Sequence, residues 1–328
     1  MRIRIALIGI GAGAAAALLF ASLTTGSLFS VMLFYLAPLP MLIAAIGWSH
    51  WSALIGAAFG ALAITGLFGP AFLFAFLASA ALPAWWLGYL TMLARPAAAG
   101  GNGAAPALEW YPPGRLVVWS AILAAIVVVV AIPNFGTDAE SFRAGMHHTL
   151  ARLLRAGTGA TADGSHSIPG VGDASRLIDV LVAAVPPAAA VLATVTNVAN
   201  LWLAARIVKF SGRLARPWPN IAAMTFPRSL MGALAIAVAL SFIGGLTGIL
   251  ASVAAAGLLM AYGVLGFAVL HTVTQANRAR GLLLVSAYAT VMVFGWPVLG
   301  FCLLGLVECA FDLRARFAHT RAPPPPHF

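Results

Sequence analysis

Long apolar runs separated by short polar or basic stretches dominate the pattern of hydrophobic and polar positions in this chain. The runs fall at 5–23, 28–47, 51–68, 70–93, 116–132, 177–205, 229–244, 247–271 and 281–313. One helix needs about 20 apolar residues to cross a hydrocarbon core of roughly 30 Å. The last run is longer than that and is interrupted at Gly295-Trp296-Pro297, where proline disfavours helix. The pattern predicts an all-α, polytopic transmembrane bundle of nine or ten segments.

The composition is that of a chain dissolved in lipid. Hydrophobic residues make up 62% of the 328 positions and charged residues only 8%, whereas a soluble domain has about 25% charged residues. We expect one integral membrane domain over 1–316, followed by a disordered, proline-rich cytoplasmic tail at 317–328. Arg2 and Arg4 precede the first apolar run and no convincing cleavage site follows it, so we expect that run to be retained as a helix.

The net charge of +10 indicates how the chain is oriented in the membrane and does not indicate nucleic-acid binding. Nucleic-acid binders gather their cations on one face with aromatic residues between them, whereas the arginines here stand at the ends of apolar runs. Cytoplasmic loops carry the Lys/Arg excess. This rule predicts a multi-pass protein of the bacterial inner membrane with a cytoplasmic N-terminus and an extracytoplasmic loop at 133–176. The basic residues around Arg314 favour a cytoplasmic C-terminus and an even number of crossings.

Within the 133–176 loop, apolar residues recur at helical spacing. They are Phe142, Met146, Leu150, Leu153 and Leu154, and arginines and histidines take the opposite side. This period is typical of an amphipathic helix that lies in the plane of the lipid headgroups.

The sixth apolar run contains most of the polar candidates. It contains Pro186-Pro187, followed by Thr194, Asn197 and Asn200. Prolines free backbone carbonyls, which are tolerated at membrane depth only against protein or a cavity. One interpretation is that the polar side chains line a ligand cavity. The alternative is that the amides bond to neighbouring helices and set their register.

Glu308 is the one carboxylate that could lie inside a span. An ionisable residue within the membrane is a functional candidate, so Glu308 joins the predicted ligand-binding residues. The alternative is an ion pair with Arg314 or Arg316 near the end of the helix.

Small residues at four-residue spacing mark one face of the first helix: Gly9, Gly13, Ala17 and Ala21. Such a face lets another helix approach closely. It predicts either a docking surface for a separate membrane subunit or packing within the same bundle.

The sequence contains no strong motif for catalysis, metal binding or cofactor binding. Cys302 and Cys309 lie on one helix face two turns apart, too far for a disulfide. The histidines have no zinc-ligand spacing, and neither a phosphate-binding loop nor a nucleophile elbow is found. We therefore expect no metal, no cofactor and no catalytic activity. His50, between Trp48 and Trp51, is expected at the membrane interface.

Several stretches of the second half resemble the YybS-like family of bacterial membrane proteins of unknown function. They run from Thr196 to Ile207, from Phe226 to Arg228, from Gly263 to Leu270, and from Leu304 to Arg314. The ending, Gly-Leu-x-(acid)-x-x-Phe-Asp-x-Arg, is the most specific of these, with Glu308 where relatives are expected to have Asp. The resemblance implies no established activity. It implies a distant similarity to substrate-capture subunits of energy-coupling-factor transporters, whose first helix docks a transmembrane partner.

Two classes of function remain. The first is a membrane component that binds a small molecule for a transport system whose energising subunits are separate chains. The second is a non-transporting scaffold or assembly factor. A secondary transporter is disfavoured, because it usually needs several buried carboxylates. The expected partners are the lipid bilayer, other membrane subunits and an unknown small molecule.

Overall fold

The fold is known from a computed structural model that describes residues 2–96, 108–158, 174–275 and 277–316. The predicted tail at 317–328 lies outside the described residues. Thirteen α-helices occupy the described part: α1 Arg2–Ala21, α2 Leu28–Tyr35, α3 Leu39–Gly47, α4 His50–Phe68, α5 Pro70–Phe76, α6 Leu82–Thr91, α7 Pro113–Ala131, α8 Ala139–Thr158, α9 Ala174–Phe210, α10 Ser229–Ser241, α11 Gly245–Val273, α12 Arg280–Phe294 and α13 Val298–Phe311. Two short antiparallel strands, β1 Ala94–Pro96 and β2 Leu108–Trp110, pair with Arg95 opposite Glu109.

The predicted all-α bundle is confirmed. Seven helical stretches of the described chain are long and apolar enough to cross a membrane, and α10, α12 and α13 are shorter apolar helices. Two of the seven are interrupted: α2 and α3 share one stretch, and α5 continues into α6 through a π-helical turn at Leu77–Ala81. The last apolar run consists of two helices that part at the predicted Gly295-Trp296-Pro297.

The C-terminal ends of alternate segments meet at one face of the bundle, which we call the basic face. There Arg213 Nε donates to the Gly47 carbonyl at the end of α3, and Arg216 donates to the carbonyls of Thr91 and Tyr111. The end of α11 and the residues after α13 also share a partner, since Thr272 and Arg314 both donate to the Ala222 carbonyl. These contacts place the ends of α3, α6, α9, α11 and α13 together.

The opposite face is covered by α8. Its side chains Phe142 and Met146 are buried in one cluster with Ile132, which follows α7, and with Ile178 of α9. The beginning of α11 packs against the same cluster through Leu246. Phe142, Met146 and Leu150 of the apolar stripe therefore lie against the bundle, whereas Leu153 is exposed.

The helix α12 is attached loosely by comparison. Among its described side chains none is buried. Tyr288 stacks on Phe267 of α11 with ring centroids 4.9 Å apart and its hydroxyl lies 3.0 Å from His271 Nε2. Met292 and Val293 are 87% and 73% exposed. In a membrane this surface would face lipid or another helix.

Candidate ligand-binding site

The site begins with the proline pair in α9. Pro186 and Pro187 have no backbone N–H, so the carbonyls of Val182 and Ala183, four residues earlier, lose their helical donors. The helix nevertheless runs for 37 residues. Carbonyls without partners are tolerated at membrane depth beside protein or a cavity, and the structure has a cavity at this position.

The cavity has a volume of about 450 Å³ and is enclosed mainly by α7, α8 and α9. Pro186, Ala189, Ala193, Thr196 and Asn197 line it from α9. The remaining walls are almost entirely apolar and include Val128 and Ile132 from α7 and its end, Met146 and Leu150 from α8, and Phe34 from α2. Small-molecule sites are typically cavities of about 300–1,000 Å³ with apolar walls and a few polar groups. This cavity has that size and that character.

One wall of the cavity depends on how α8 begins. The Asp138 carboxylate caps the helix, because its Oδ1 accepts from the backbone N–H groups of Glu140 and Ser141 at 2.9 Å. The hydroxyl of Ser141 donates to Asp138 Oδ2 at 2.6 Å. These bonds, the side-chain bond first, hold the pKa of Asp138 below its ordinary value. The capped helix then brings Phe142 and Met146 to the cavity.

The cavity reaches the surface of the bundle beside exposed apolar side chains. Leu153 of α8 and Leu192 of α9 line it and are 63% and 45% exposed. Ser79 and Ala80, in the π-helical turn, line it from the side of α5 and α6. Such turns occur frequently at functional sites.

The three polar candidates of α9 are all buried, but they do different things. Thr194 is fully buried and donates to the Ala190 carbonyl of its own helix at 2.7 Å. Asn197 Nδ2 donates to the Ser120 carbonyl of α7 at 3.1 Å, and Asn200 Nδ2 to the Tyr35 carbonyl at the end of α2 at 2.8 Å. Asn200 Oδ1 is buried without a hydrogen-bond partner among the described residues.

Both interpretations of the two amides thus have structural support. They join α9 to neighbouring helices, as the register interpretation requires, and Asn197 also lines the cavity. Thr194 and Asn200 are not among the side chains that line this cavity. Asn197 is consequently the strongest polar candidate for contact with a ligand.

Glu308 lies apart from the cavity and has its own partner. It is 4% exposed, and Arg314 Nε donates to its Oε1 at 2.6 Å while the Arg314 backbone N–H donates to Oε2. The same guanidinium donates to the Ala222 and Met224 carbonyls of the loop before α10. This geometry corresponds to the ion-pair alternative, because both carboxylate oxygens are occupied within the chain.

The small-residue face of α1 is covered by α4. A Cβ atom at Gly9 would lie 2.5 Å from the Ser52 carbonyl oxygen, and one at Gly13 would collide with the backbone of Gly56. Ala17 is buried on the same side, and Ala21 is half-buried. The interpretation in which a separate subunit docks on this face needs correction, since the helix that occupies it belongs to the same chain.

Sequence reasoning did not identify α8 as a wall of the cavity or the π-helical turn as its neighbour. The apolar stripe of α8 was visible, but a stripe of this kind fits a lipid surface and a protein surface equally well. The π-helical turn has no sequence signal that we recognise. The indole nitrogens of Trp85 and Trp86 are also buried without a hydrogen-bond partner in the described structure.

The fold and the apolar helices define an integral, polytopic membrane protein of the all-α class. Comparison with known proteins found no matching family model, no similar curated protein and no similar solved structure. The resemblance to the YybS-like family therefore rests on the sequence stretches alone.

Proposed function

We propose that this chain is a membrane component that binds a small, largely apolar molecule taken from the bilayer. The observation that carries the proposal is the cavity of about 450 Å³ between α7, α8 and α9, with Asn197 on its wall. Its volume suits one small molecule or part of a lipid tail. The exposed leucines at its edge, Leu153 and Leu192, suit entry from lipid.

The chemistry of the walls narrows the ligand class. Apolar side chains dominate, and the described carboxylates and basic side chains do not line the cavity. A charged molecule would lose its hydration there without a counter-charge, which is costly. A neutral molecule with an apolar body and one hydrogen-bonding group would satisfy both the walls and the amide of Asn197.

The proposed setting is a bacterial inner membrane with the basic face in the cytoplasm and α8 outside. Its support is the Arg-rich composition of the basic face, because cytoplasmic loops carry the Lys/Arg excess. Alkaline phosphatase fused after Gly159 should be active, and the enzyme fused after Arg321 should be silent. The reverse pattern would contradict this orientation.

A role in transport is the extension of this proposal. The sequence has no nucleotide-binding motif, so energising subunits would be separate chains. The small-residue face of α1 no longer supports the analogy with transporter capture subunits, because α4 covers it. Any partner subunit would have to bind elsewhere.

A non-transporting scaffold is the second candidate, and α12 is the observation that favours it. This apolar helix has no buried side chain among the described residues, and Val285 and Met292 on one side of it are 66% and 87% exposed. A partner helix could cover that surface. Co-purification of a stoichiometric membrane protein that is lost in Val285→Glu or Met292→Glu would support this alternative.

The test of ligand binding uses mass spectrometry on the purified chain. We expect a small apolar molecule to co-purify in mild detergent and to be recovered in smaller amount from Ala193→Phe, in which the new ring occupies part of the cavity. The matched control is Ala58→Phe, which adds the same ring at an exposed position of α4. Equal recovery of every molecule from both variants and the wild type would contradict the proposal.

A further inference from the structure

The basic face carries four cations without a carboxylate partner among the described residues, at the end of α9 and in the loop that follows. They are Arg206, Lys209, Arg213 and Arg216, which we call the α9 cation cluster. The described part of the chain has three carboxylates at this face, and each is bonded to another arginine. The pairs are Arg95 with Glu109, Arg228 with Asp312, and Arg314 with Glu308. The α9 cation cluster therefore has unbalanced positive charge.

Aromatic rings hold these cations in place. The guanidinium of Arg206 lies 5.4 Å from the ring centre of Trp202 and 5.6 Å from that of Trp218. Lys209 Nζ lies 4.8 Å from the ring centre of Trp218, and the Arg213 guanidinium lies 4.2 Å from that of Trp48. Tryptophan is enriched at the boundary between hydrocarbon and headgroups. The rings thus mark the depth at which the cations meet the membrane surface.

Arg216 is the buried member of the cluster. It is 6% exposed and donates to the Thr91 carbonyl at 3.1 Å and the Tyr111 carbonyl at 2.8 Å. Burial lowers the pKa of its guanidinium from the ordinary value, but an arginine in this position stays charged. Carbonyl dipoles solvate this charge without neutralising it.

Arg216 also lines a small cavity of about 130 Å³ whose other walls are nearly all apolar. Trp202, Trp218, Leu201 and Val264 are among these walls. An apolar slot therefore adjoins a surface of unbalanced cations. This juxtaposition matches an amphiphile with an anionic head and an apolar tail.

We propose that the α9 cation cluster binds an anionic phospholipid, with its headgroup on Arg206, Lys209 and Arg213 and part of an acyl chain against the slot beside Arg216. The charge count argues for an anionic head, and the tryptophans and the apolar slot argue for a lipid rather than a free anion. Anionic lipid surfaces attract clustered Lys and Arg beside transmembrane helices. The site is separate from the cavity of the proposed function and does not depend on it.

The test compares lipid retention by native mass spectrometry. The chain is exchanged into detergent with phosphatidylglycerol or with phosphatidylcholine that has identical acyl chains. Arg206→Gln/Lys209→Gln should lower retention of phosphatidylglycerol by roughly tenfold or more, because two cations beside an anionic headgroup are lost. Retention of phosphatidylcholine should not change.

The control removes two cations from the opposite face. Arg143→Gln/Arg152→Gln changes the net charge equally, and both side chains are exposed on α8. Equal loss of phosphatidylglycerol in the two double variants would overturn the proposal, as would no loss in either. Thermal unfolding provides the second readout: phosphatidylglycerol should stabilise the wild type more than inorganic phosphate does. Equal stabilisation by phosphate alone would show a free-anion site and would also overturn it.

Discussion

Two regions of the bundle solve the same packing problem in opposite ways. Where α1 meets α4, the glycines Gly9, Gly13 and Gly56 let the two backbones touch, and a single added Cβ atom would collide with backbone. Where α7, α8 and α9 meet, the chain leaves a cavity of about 450 Å³. Both regions are lined mainly by apolar side chains.

The two regions differ in the residues that shape their helices. Small residues at regular spacing remove side-chain volume, so the backbones of two helices can approach closely. The pair Pro186-Pro187 and the π-helical turn at Leu77–Ala81 disturb the regular ladder instead, and α8 covers the space between them. The close approach of α1 and α4 leaves no space between them, whereas the interrupted helices border a cavity.

The largest expected effect is at the close contact. Gly13→Leu should destabilise the folded chain by about 3 kcal/mol or more, because overpacking here meets the backbone of Gly56 and not a flexible side chain. Thermal unfolding in detergent measures it. Gly11→Leu is the matched control, since a Cβ atom at Gly11 meets no atom within 4 Å. Similar melting temperatures for the two variants would show that the close contact between α1 and α4 does not limit the size of the residue at position 13.

A smaller effect is expected at the wall of the cavity. Phe142 is 1% exposed and anchors α8 to the cluster that contains Ile132 and Ile178. Phe142→Ala should weaken the docking of α8 by about 3 kcal/mol, while the remainder of the bundle keeps its stability. Hydrogen exchange should therefore speed up in α8 and stay unchanged in α1 and α4. Unchanged exchange in α8 would mean that this helix is held by lipid alone.

The amide of Asn200 should matter less. Asn200→Leu removes the bond to the Tyr35 carbonyl, but it also removes a buried oxygen that has no partner in the described structure. Amide bonds between membrane helices contribute about 0.6–2 kcal/mol, so we expect a loss of about 1 kcal/mol in thermal unfolding. Asn134→Leu, at an exposed position, is the control. A loss as large as that of Gly13→Leu would show that register depends mainly on this amide.

The smallest expected effect concerns the cap of α8. The pKa of Asp138 is lowered in the folded chain, so its contribution is present above the ordinary value of about 3.9 and disappears as pH falls through the lowered value. Asp138→Ala should raise hydrogen exchange in the first turn of α8 several-fold at neutral pH. At sufficiently low pH the variant and the wild type should exchange alike. A difference that persists in acid would exclude the carboxylate as its cause.

Much of the fold could be predicted from the sequence because membrane helices leave a strong signal. Each apolar run had to satisfy its backbone internally, so helices were the expected form. The break at Gly295-Trp296-Pro297 followed from proline chemistry and was found at that position. The interruption between α2 and α3 was not predicted, although Pro38 and Pro40 lie there and could have indicated it.

The site was less predictable because it depends on contacts between distant segments. The sequence singled out Asn197, but the amide could equally have served as a helix-to-helix bond, and it does both. Whether Glu308 was free depended on the path of the chain after α13, which returns Arg314 to it. Likewise, no pattern within α1 could predict that α4 covers its small-residue face.

The most direct test of the cavity is to map where an apolar, photoreactive diazirine probe attaches. The probe is added to the chain in lipid nanodiscs, and labelled peptides are identified by mass spectrometry. We expect peptides containing Ile132, Leu150 and Leu192 to be labelled more heavily than α12, in which no described side chain is buried. An excess of unlabelled apolar ligand should remove the difference. Labelling that follows lipid exposure alone, with α12 at least as heavily labelled as the cavity walls, would contradict the account.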